Sequence, residues 1–241
     1  MQSTIIWIME DIHCWHTKYE ACYYSDRLLG KLSELNSSTS TQVDITAVKK
    51  AIYYAKKYHG SQLRQIGEPY YSHPLEVAYM VADYLFRTDI IVTAILHDTI
   101  EDTELTQDKI AVLFGELIAG QVEDLTRDKA YGKISAGEMI ELLFKQKKYE
   151  VALIKIFDRI HNLQTVGVKS PEKIKKIITE TLKDFLVLAA FLGITAVEKR
   201  ITQLCEQYSK QFIKHNPLEE NNYGVPFGPD HNLLSLVFQN S

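Results

Sequence analysis

Apolar residues recur along this chain at helical spacing, and the strict alternation expected of strands is scarce. Val48, Ile52 and Ala55 share one face of a predicted helix. Pro74 suits the first turn of a helix running through Val77, Met80, Val81 and Leu85, because the N–H it lacks would be unbonded there anyway. Thr88 or Asp89 is placed to cap the next helix, which carries Ile91, Ala94 and Ile95 and enters His97 and Asp98. Thr106, with Lys109 three residues later, is an incomplete capping pattern ahead of Ile110, Leu113 and Phe114. Further helices are predicted over 116–125, 135–147, 149–160, 171–192 and 196–212, with Ser170-Pro171-Glu172 as cap and first turn. The expected fold class is all-α.

The same pattern divides the chain. Residues 1–42 read as an N-terminal extension ending in the polar linker Asn36-Ser37-Ser38-Thr39-Ser40-Thr41-Gln42. Residues 43–212 form the helical domain, and 213–241, rich in Asn, Gly and Pro without helical period, form a tail. No internal repeat is present.

Composition narrows the class. With 241 residues, 46% of them hydrophobic, the chain can bury a sizeable core and is not disordered. A net charge of −4 argues against broad nucleic-acid binding, though not against a local basic pocket for a phosphorylated small molecule. Three cysteines are too few for a disulfide framework and fit a reducing compartment. No apolar run approaches the roughly 20 residues that span a bilayer. Ile5-Ile6-Trp7-Ile8-Met9 lacks a basic flank and runs into Glu10 and Asp11, which makes a poor signal peptide. The expectation is a cytoplasmic protein with no membrane or nucleic-acid partner.

The candidate chemistry centres on His97-Asp98-Thr99-Ile100-Glu101-Asp102. At about 100° per residue, positions 97, 98, 101 and 102 cover roughly 140° of a helix, so all four point to one side. Three carboxylates and an imidazole so placed repel one another unless a cation or a wet cleft compensates. Mixed His and carboxylate donors suit manganese, iron or zinc, whereas an all-oxygen cage would suit magnesium or calcium. A His-Asp pair alone also fits a solvated acidic helix end. The reading changes with His73, in Gly67-Glu68-Pro69-Tyr70-Tyr71-Ser72-His73-Pro74, and Asp158, in Lys155-Ile156-Phe157-Asp158-Arg159-Ile160-His161-Asn162-Leu163.

These segments, with Ala55-Lys56-Lys57-Tyr58-His59, Phe114-Gly115 and Thr165, resemble the HD superfamily and, within it, the hydrolase domain of the RelA/SpoT family in its small stand-alone form. The match in order and spacing runs across about 43–166 and continues more weakly to about 210. The resemblance implies an HD-domain helical bundle in which His73, His97, Asp98 and Asp158 bind one divalent metal, usually manganese. It implies Glu101 and Asp102 as catalytic acid/base or orienting groups beside the attacking water, Arg64 over the guanine ring, and Asn162 and Thr165 on the nucleoside. The implied activity is hydrolysis of guanosine 3′,5′-bis(diphosphate), ppGpp or pppGpp, to GDP or GTP plus pyrophosphate by a metal-activated water. With no domain-sized segment after the match, the chain is expected to degrade the nucleotide and not to make it.

The residue chemistry is consistent with this. A bound cation moves the pKa of water from about 15.7 toward neutrality, a nearby carboxylate can take the proton, and a planar guanidinium can stack on a base. Gln65 and Ile66 depart from the family, which usually has a lysine and a small polar residue there. Losing that lysine removes a phosphate partner and Ile66 removes a hydroxyl near the base, and Lys56, Lys57, Arg127, Lys129 and Lys133 are candidates to compensate. The alternatives are a related phosphohydrolase, such as a phosphatase of NADPH, and a non-catalytic nucleotide sensor. His13, Cys14, His16 and Cys22 match no zinc-finger spacing. His59 reads as structural, the family resemblance implies that His161 packs or supports a ligand, and Tyr53, Tyr54, Tyr70 and Tyr71 either wall a cleft or pack in the core.

Overall fold

The computed structural model describes residues 14–129 and 131–215, with side chains through Ser209. The apolar opening, His13 and the predicted tail beyond residue 215 lie outside the described residues.

Two compact units divide at residues 158 and 159. The first is built of helices α1 (Tyr23–Ser38), α2 (Ile45–His59), α3 (Ser72–Val81), α4 (Thr88–Leu96), α5 (Thr99–Asp102), α6 (Gln107–Phe114), α7 (Glu116–Leu125) and α8 (Ala136–Lys145). Helix α9 (Tyr149–Gln164) contains the division. The strand content among the described residues is one two-stranded hairpin, β1 (Asp128–Lys129) with β2 (Gly132–Lys133). The fold is all-α.

Helix α4 is the axis of the first unit. Every residue from Ile90 to Leu96 is buried, and α2, α3 and α7 lie against it. An apolar run buried on all sides has no polar stripe, and each large aliphatic side chain contributes about 1.5–3 kcal/mol by leaving water. Its one polar interior residue, Thr93, donates to Gln121 Oε1 at 2.6 Å, and Gln121 donates to Asp89 Oδ2 at 3.1 Å. The buried hydroxyl is thereby satisfied.

Local signals set the ends. The Asp44 carboxylate accepts from the N–H groups of Thr46 and Ala47 and starts α2. Thr106 caps α6 by accepting from Lys109 N–H at 3.4 Å. Gly115, at φ 90°, lets the chain turn from α6 directly into α7, a conformation side chains rarely adopt. Ser135 and Glu138 form a reciprocal capping box on α8.

Several expectations shift. Helix α3 begins at Ser72, two residues before Pro74, and ends at Val81 instead of reaching Leu85. Arg87, not Thr88 or Asp89, is the cap residue of α4, and it makes no side-chain cap bond. Within the stretch read as an extension, α1 packs against α3: Lys31 Nζ donates to the Tyr79 carbonyl at 2.7 Å, and Arg27 pairs with Glu76.

In the second unit Ser170 caps α10 (Pro171–Glu180), a π-helical turn follows over Thr181–Phe185, and α11 (Leu186–Phe191) and α12 (Thr195–His215) come next among the described residues. The predicted continuous helix over 171–192 is thus interrupted by wider turns. Ile174, Ile178, Phe185, Leu188 and Ile201 form its core, and the Arg159 guanidinium lies 4.2 Å over the Phe185 ring.

Candidate metal centre

The helix expected to carry His97, Asp98, Glu101 and Asp102 together is broken. Helix α4 stops at Leu96, the chain turns through His97 and Asp98, and the short α5 then holds Glu101 and Asp102. The Thr99 hydroxyl donates to the Leu96 carbonyl at 2.6 Å, satisfying an oxygen that the break would leave bare. The Nδ1 of His97 lies 2.7 Å from the Ala94 carbonyl, which can only accept. In the neutral form that binds a metal, the ring therefore keeps its proton on Nδ1 and carries the lone pair on Nε2. Nε2 is buried and makes no hydrogen bond, although Asp98 Oδ1 is 3.0 Å away. A buried, bare nitrogen with its partner nitrogen anchored on a carbonyl is how a metal-ligating histidine is prepared.

His73 arrives from a tight reversal. Arg64 N–H donates to the Glu68 carbonyl at 2.8 Å and Tyr70 N–H to the Gln62 carbonyl at 2.9 Å. Gly67, at φ 86°, makes the reversal. His73 N–H then donates to the Tyr70 carbonyl at 3.0 Å as α3 begins.

Asp158 comes from α9. Its Oδ2 is 2.9 Å from the buried Lys155 Nζ, one turn earlier on the same helix. Its Oδ1 is thereby directed elsewhere, 3.1 Å from His73 Nε2 and 4.0 Å from His97 Nε2. Asp98 Oδ2 is 3.4 Å from His73 Nε2. One ligand atom each from His73, His97 and Asp158 lies within 4.8 Å of the others. Nitrogen and oxygen donors bind a first-row ion such as zinc at about 2.0–2.2 Å, so donors around a single ion stand roughly 3–4 Å apart. These three residues fit a metal ion, and Asp98 touches both histidines beside them.

The electrostatics agree. Burial works against charge on Asp98, but His97 and His73 hold it well below the usual carboxylate range. Burial likewise opposes charge on Asp158, and Lys155 and His73 overcome it and hold the carboxyl low. Burial disfavours a charged His73, yet the Asp158 and Asp98 carboxylates raise its pKa above the ordinary value. Both carboxylates are therefore ionised and able to ligate.

Glu101 and Asp102 have different surroundings. Glu101 accepts from the Arg127 guanidinium at 2.9 Å and the Arg127 N–H at 3.2 Å, and Lys133 Nζ is 2.8 Å away. Burial pushes Glu101 up, but Lys133 and Arg127 bring it below the usual glutamate value. Asp102 is exposed and accepts from the Tyr70 hydroxyl at 2.6 Å. Partial burial, with Asp98 and Glu101 nearby, raises its pKa against the effect of that hydroxyl. Of the five basic candidates, Arg127 and Lys133 reach Glu101. Lys56 is bound to the Glu20 carbonyl, Lys57 lies near the rings of Tyr53, Tyr54 and Tyr58, and Lys129 is bound to the Glu123 carbonyl.

Arg64 is half-buried in the reversal, and burial lowers its pKa while Tyr70, Glu68, Asp158 and Asp98 raise it. Asn162 and Thr165 belong to the second unit, where the Thr165 hydroxyl lies 3.3 Å from the His161 carbonyl and 3.4 Å from the Asn162 carbonyl. Sequence assigns Lys155 no role and signals it only by its spacing to Asp158, and it reads Tyr70 only as walling a cleft or packing in the core.

A family model described as an HD domain matches residues 51–195. The chain is 38% identical over 172 residues to a GTP pyrophosphokinase rsh of Brucella abortus, covering 69% of this chain and 23% of that protein. It is 36% identical over 167 residues to the guanosine-3′,5′-bis(diphosphate) 3′-pyrophosphohydrolase of Aquifex aeolicus, covering 67% and 24%. The protein of the same name from Spiroplasma citri is 31% identical over 196 residues, covering 79% and 25%. The chain thus spans about a quarter of the length of these relatives. A solved structure described as a metazoan ortholog of SpoT that hydrolyses ppGpp aligns with a TM-score of 0.52 and 20% identity, covering 70% of this chain and 98% of that one, and shares its fold.

Proposed function

Because this chain belongs to the HD domain family, we propose that it is a manganese-dependent hydrolase that removes the 3′ pyrophosphate of ppGpp and pppGpp, leaving GDP or GTP. The observation that carries this reading is the buried convergence of His73, His97 and Asp158, with Asp98 against both histidines and the exposed Asp102 nearby. The names of the Aquifex and Spiroplasma relatives support the substrate.

His73, His97, Asp98 and Asp158 would hold the manganese. When bound there, the ion supplies Lewis acidity, offsetting charge that builds on the attacked phosphoryl group and favouring ionisation of water. The chain does the rest. Asp102, with its raised pKa and solvent access, takes the proton from the attacking water. Glu101, kept ionised by Arg127 and Lys133, orients that water and holds the two cations at the site, where they can meet phosphate oxygens. Arg64 stacks on the guanine.

The test incubates the protein and manganese separately with ppGpp, pppGpp and NADPH, following pyrophosphate and orthophosphate release with a chelator control. Pyrophosphate from the guanosine nucleotides, lost with chelator and reduced at least about 100-fold in Asp98→Ala and Glu101→Ala, is the expected result. Orthophosphate from NADPH alone would move the substrate, in keeping with Gln65 and Ile66 in the Arg64 loop. No turnover of any of them would leave a nucleotide sensor.

A further inference from the structure

We propose that Tyr70 is a positioning residue, its hydroxyl tying the Asp102 carboxylate to that of the ligand Asp98 and so holding the proton-accepting group at the metal centre. The catalytic meaning of this tie rests on the hydrolase reading above; the tie itself rests on geometry. The Tyr70 hydroxyl is 2.6 Å from Asp102 Oδ2 and 3.3 Å from Asp98 Oδ2. A hydroxyl has one proton, so it reaches both carboxylates only as a bifurcated bond, whose short, strong arm is on Asp102 and whose long, weak arm is on Asp98.

Asp102 needs such a tie. It is the last residue of the four-residue α5, and it is exposed. Its neighbours Asp98 and Glu101 carry the same charge and repel it. Tyr70, by contrast, is locked. Its ring stacks on the buried His59 with centroids 4.6 Å apart and planes 25° from parallel. The amide of Gln62 closes the circuit: its Nε2 donates to the Asp102 carbonyl at 3.0 Å, so its Oε1 faces His59 Nδ1, 2.9 Å away, and accepts from it. Tyr70 N–H returns to the Gln62 carbonyl at 2.9 Å. Gln62, His59, Tyr70 and Asp102 thus form a closed ring of contacts. The same segment passes from Tyr70 to His73 within one turn, so the residue that aims Asp102 also leads to a metal donor. A proton acceptor misplaced by about 1 Å can cost on the order of 100-fold in rate.

The experiment uses Tyr70→Phe, which keeps the ring on His59 and removes only the hydroxyl. Melting temperature and circular dichroism establish that the variant folds. Crystal structures of the manganese-loaded wild type and variant then read the tie directly. The Asp102 carboxylate is expected to leave its wild-type position in the variant, and an unmoved carboxylate would overturn the proposal whether or not any nucleotide is turned over. In the hydrolysis assay, kcat is expected to fall at least tenfold with KM for ppGpp within twofold. Tyr70→Phe combined with Asp102→Asn should be no slower than Asp102→Asn alone, since one residue acts through the other. Losses that multiply in the double variant, or wild-type kcat in Tyr70→Phe, would also overturn it. A wild type inactive on every nucleotide would sink the hydrolase reading instead, and the Asp102 position would still decide the tie.

Discussion

Lys155 shows how one side chain shapes the site without being a ligand. Its ammonium occupies Asp158 Oδ2 at 2.9 Å, and both groups are buried. The pairing offsets the cost of an interior carboxylate and leaves Oδ1 facing the two histidines. Removing one partner of a buried pair strands the other charge. In chelator, Lys155→Met is therefore expected to destabilise the protein by about 3–5 kcal/mol, read from urea unfolding. An unchanged midpoint would mean that another cation neutralises Asp158. The pairing could have been suspected from the one-turn spacing of Lys155 and Asp158, but that spacing is common on exposed helices, and only burial makes it consequential.

At the scale of elements, the start of α4 is stabilised electrostatically. Asp89 lies in the first turn, where a carboxylate favours the helix dipole. Burial alone would raise its pKa, but hydrogen bonds from Arg87 and Gln121 and the Arg87 charge bring it below the ordinary aspartate value. A depressed folded pKa contributes stability that is present above the unfolded pKa, about 3.9, and is lost as pH falls through the lower folded value. Asp89→Asn should cost about 1–3 kcal/mol at pH 7. The gap to wild type should narrow in urea titrations taken progressively below about pH 4. A gap that stays constant to pH 2 would assign the effect to shape and not charge. Elements were the most legible level from sequence. Helix α7 is legible at its observed ends, α6 and α12 nearly so, and α10 at its start only, because caps and 3.6-residue periodicity are properties of neighbouring residues. The break between α4 and α5 was not legible, since no Gly or Pro marks it. Side chains make it, through Thr99 on the Leu96 carbonyl and His97 on the Ala94 carbonyl.

For the whole molecule, every proposed metal ligand lies in the first unit, so a bound ion stabilises that unit by mass action. Manganese at 100 times its dissociation constant should raise the unfolding free energy by about 2.7 kcal/mol. Chelator should remove the gain, and Asp98→Ala should show none; an equal gain in that variant would place the ion elsewhere. The first unit also shows where the sequence's reach ended. Residue order by itself determined the helical class and most helix spans, since periodicity and capping are written locally; that His73, His97, Asp98 and Asp158 form one candidate set is what the family resemblance implied. The tertiary structure alone decided that α3, the α4–α5 turn and α9 bring His73, His97 and Asp158 within reach of one ion. It alone decided that Arg127 and Lys133, not Lys56 or Lys129, meet Glu101. It alone separated Glu101 from Asp102, adjacent in the chain and opposite in environment. The physical reason is that convergence depends on how distant helices pack. Packing is set by the sum of many buried contacts around α4, which no local pattern records.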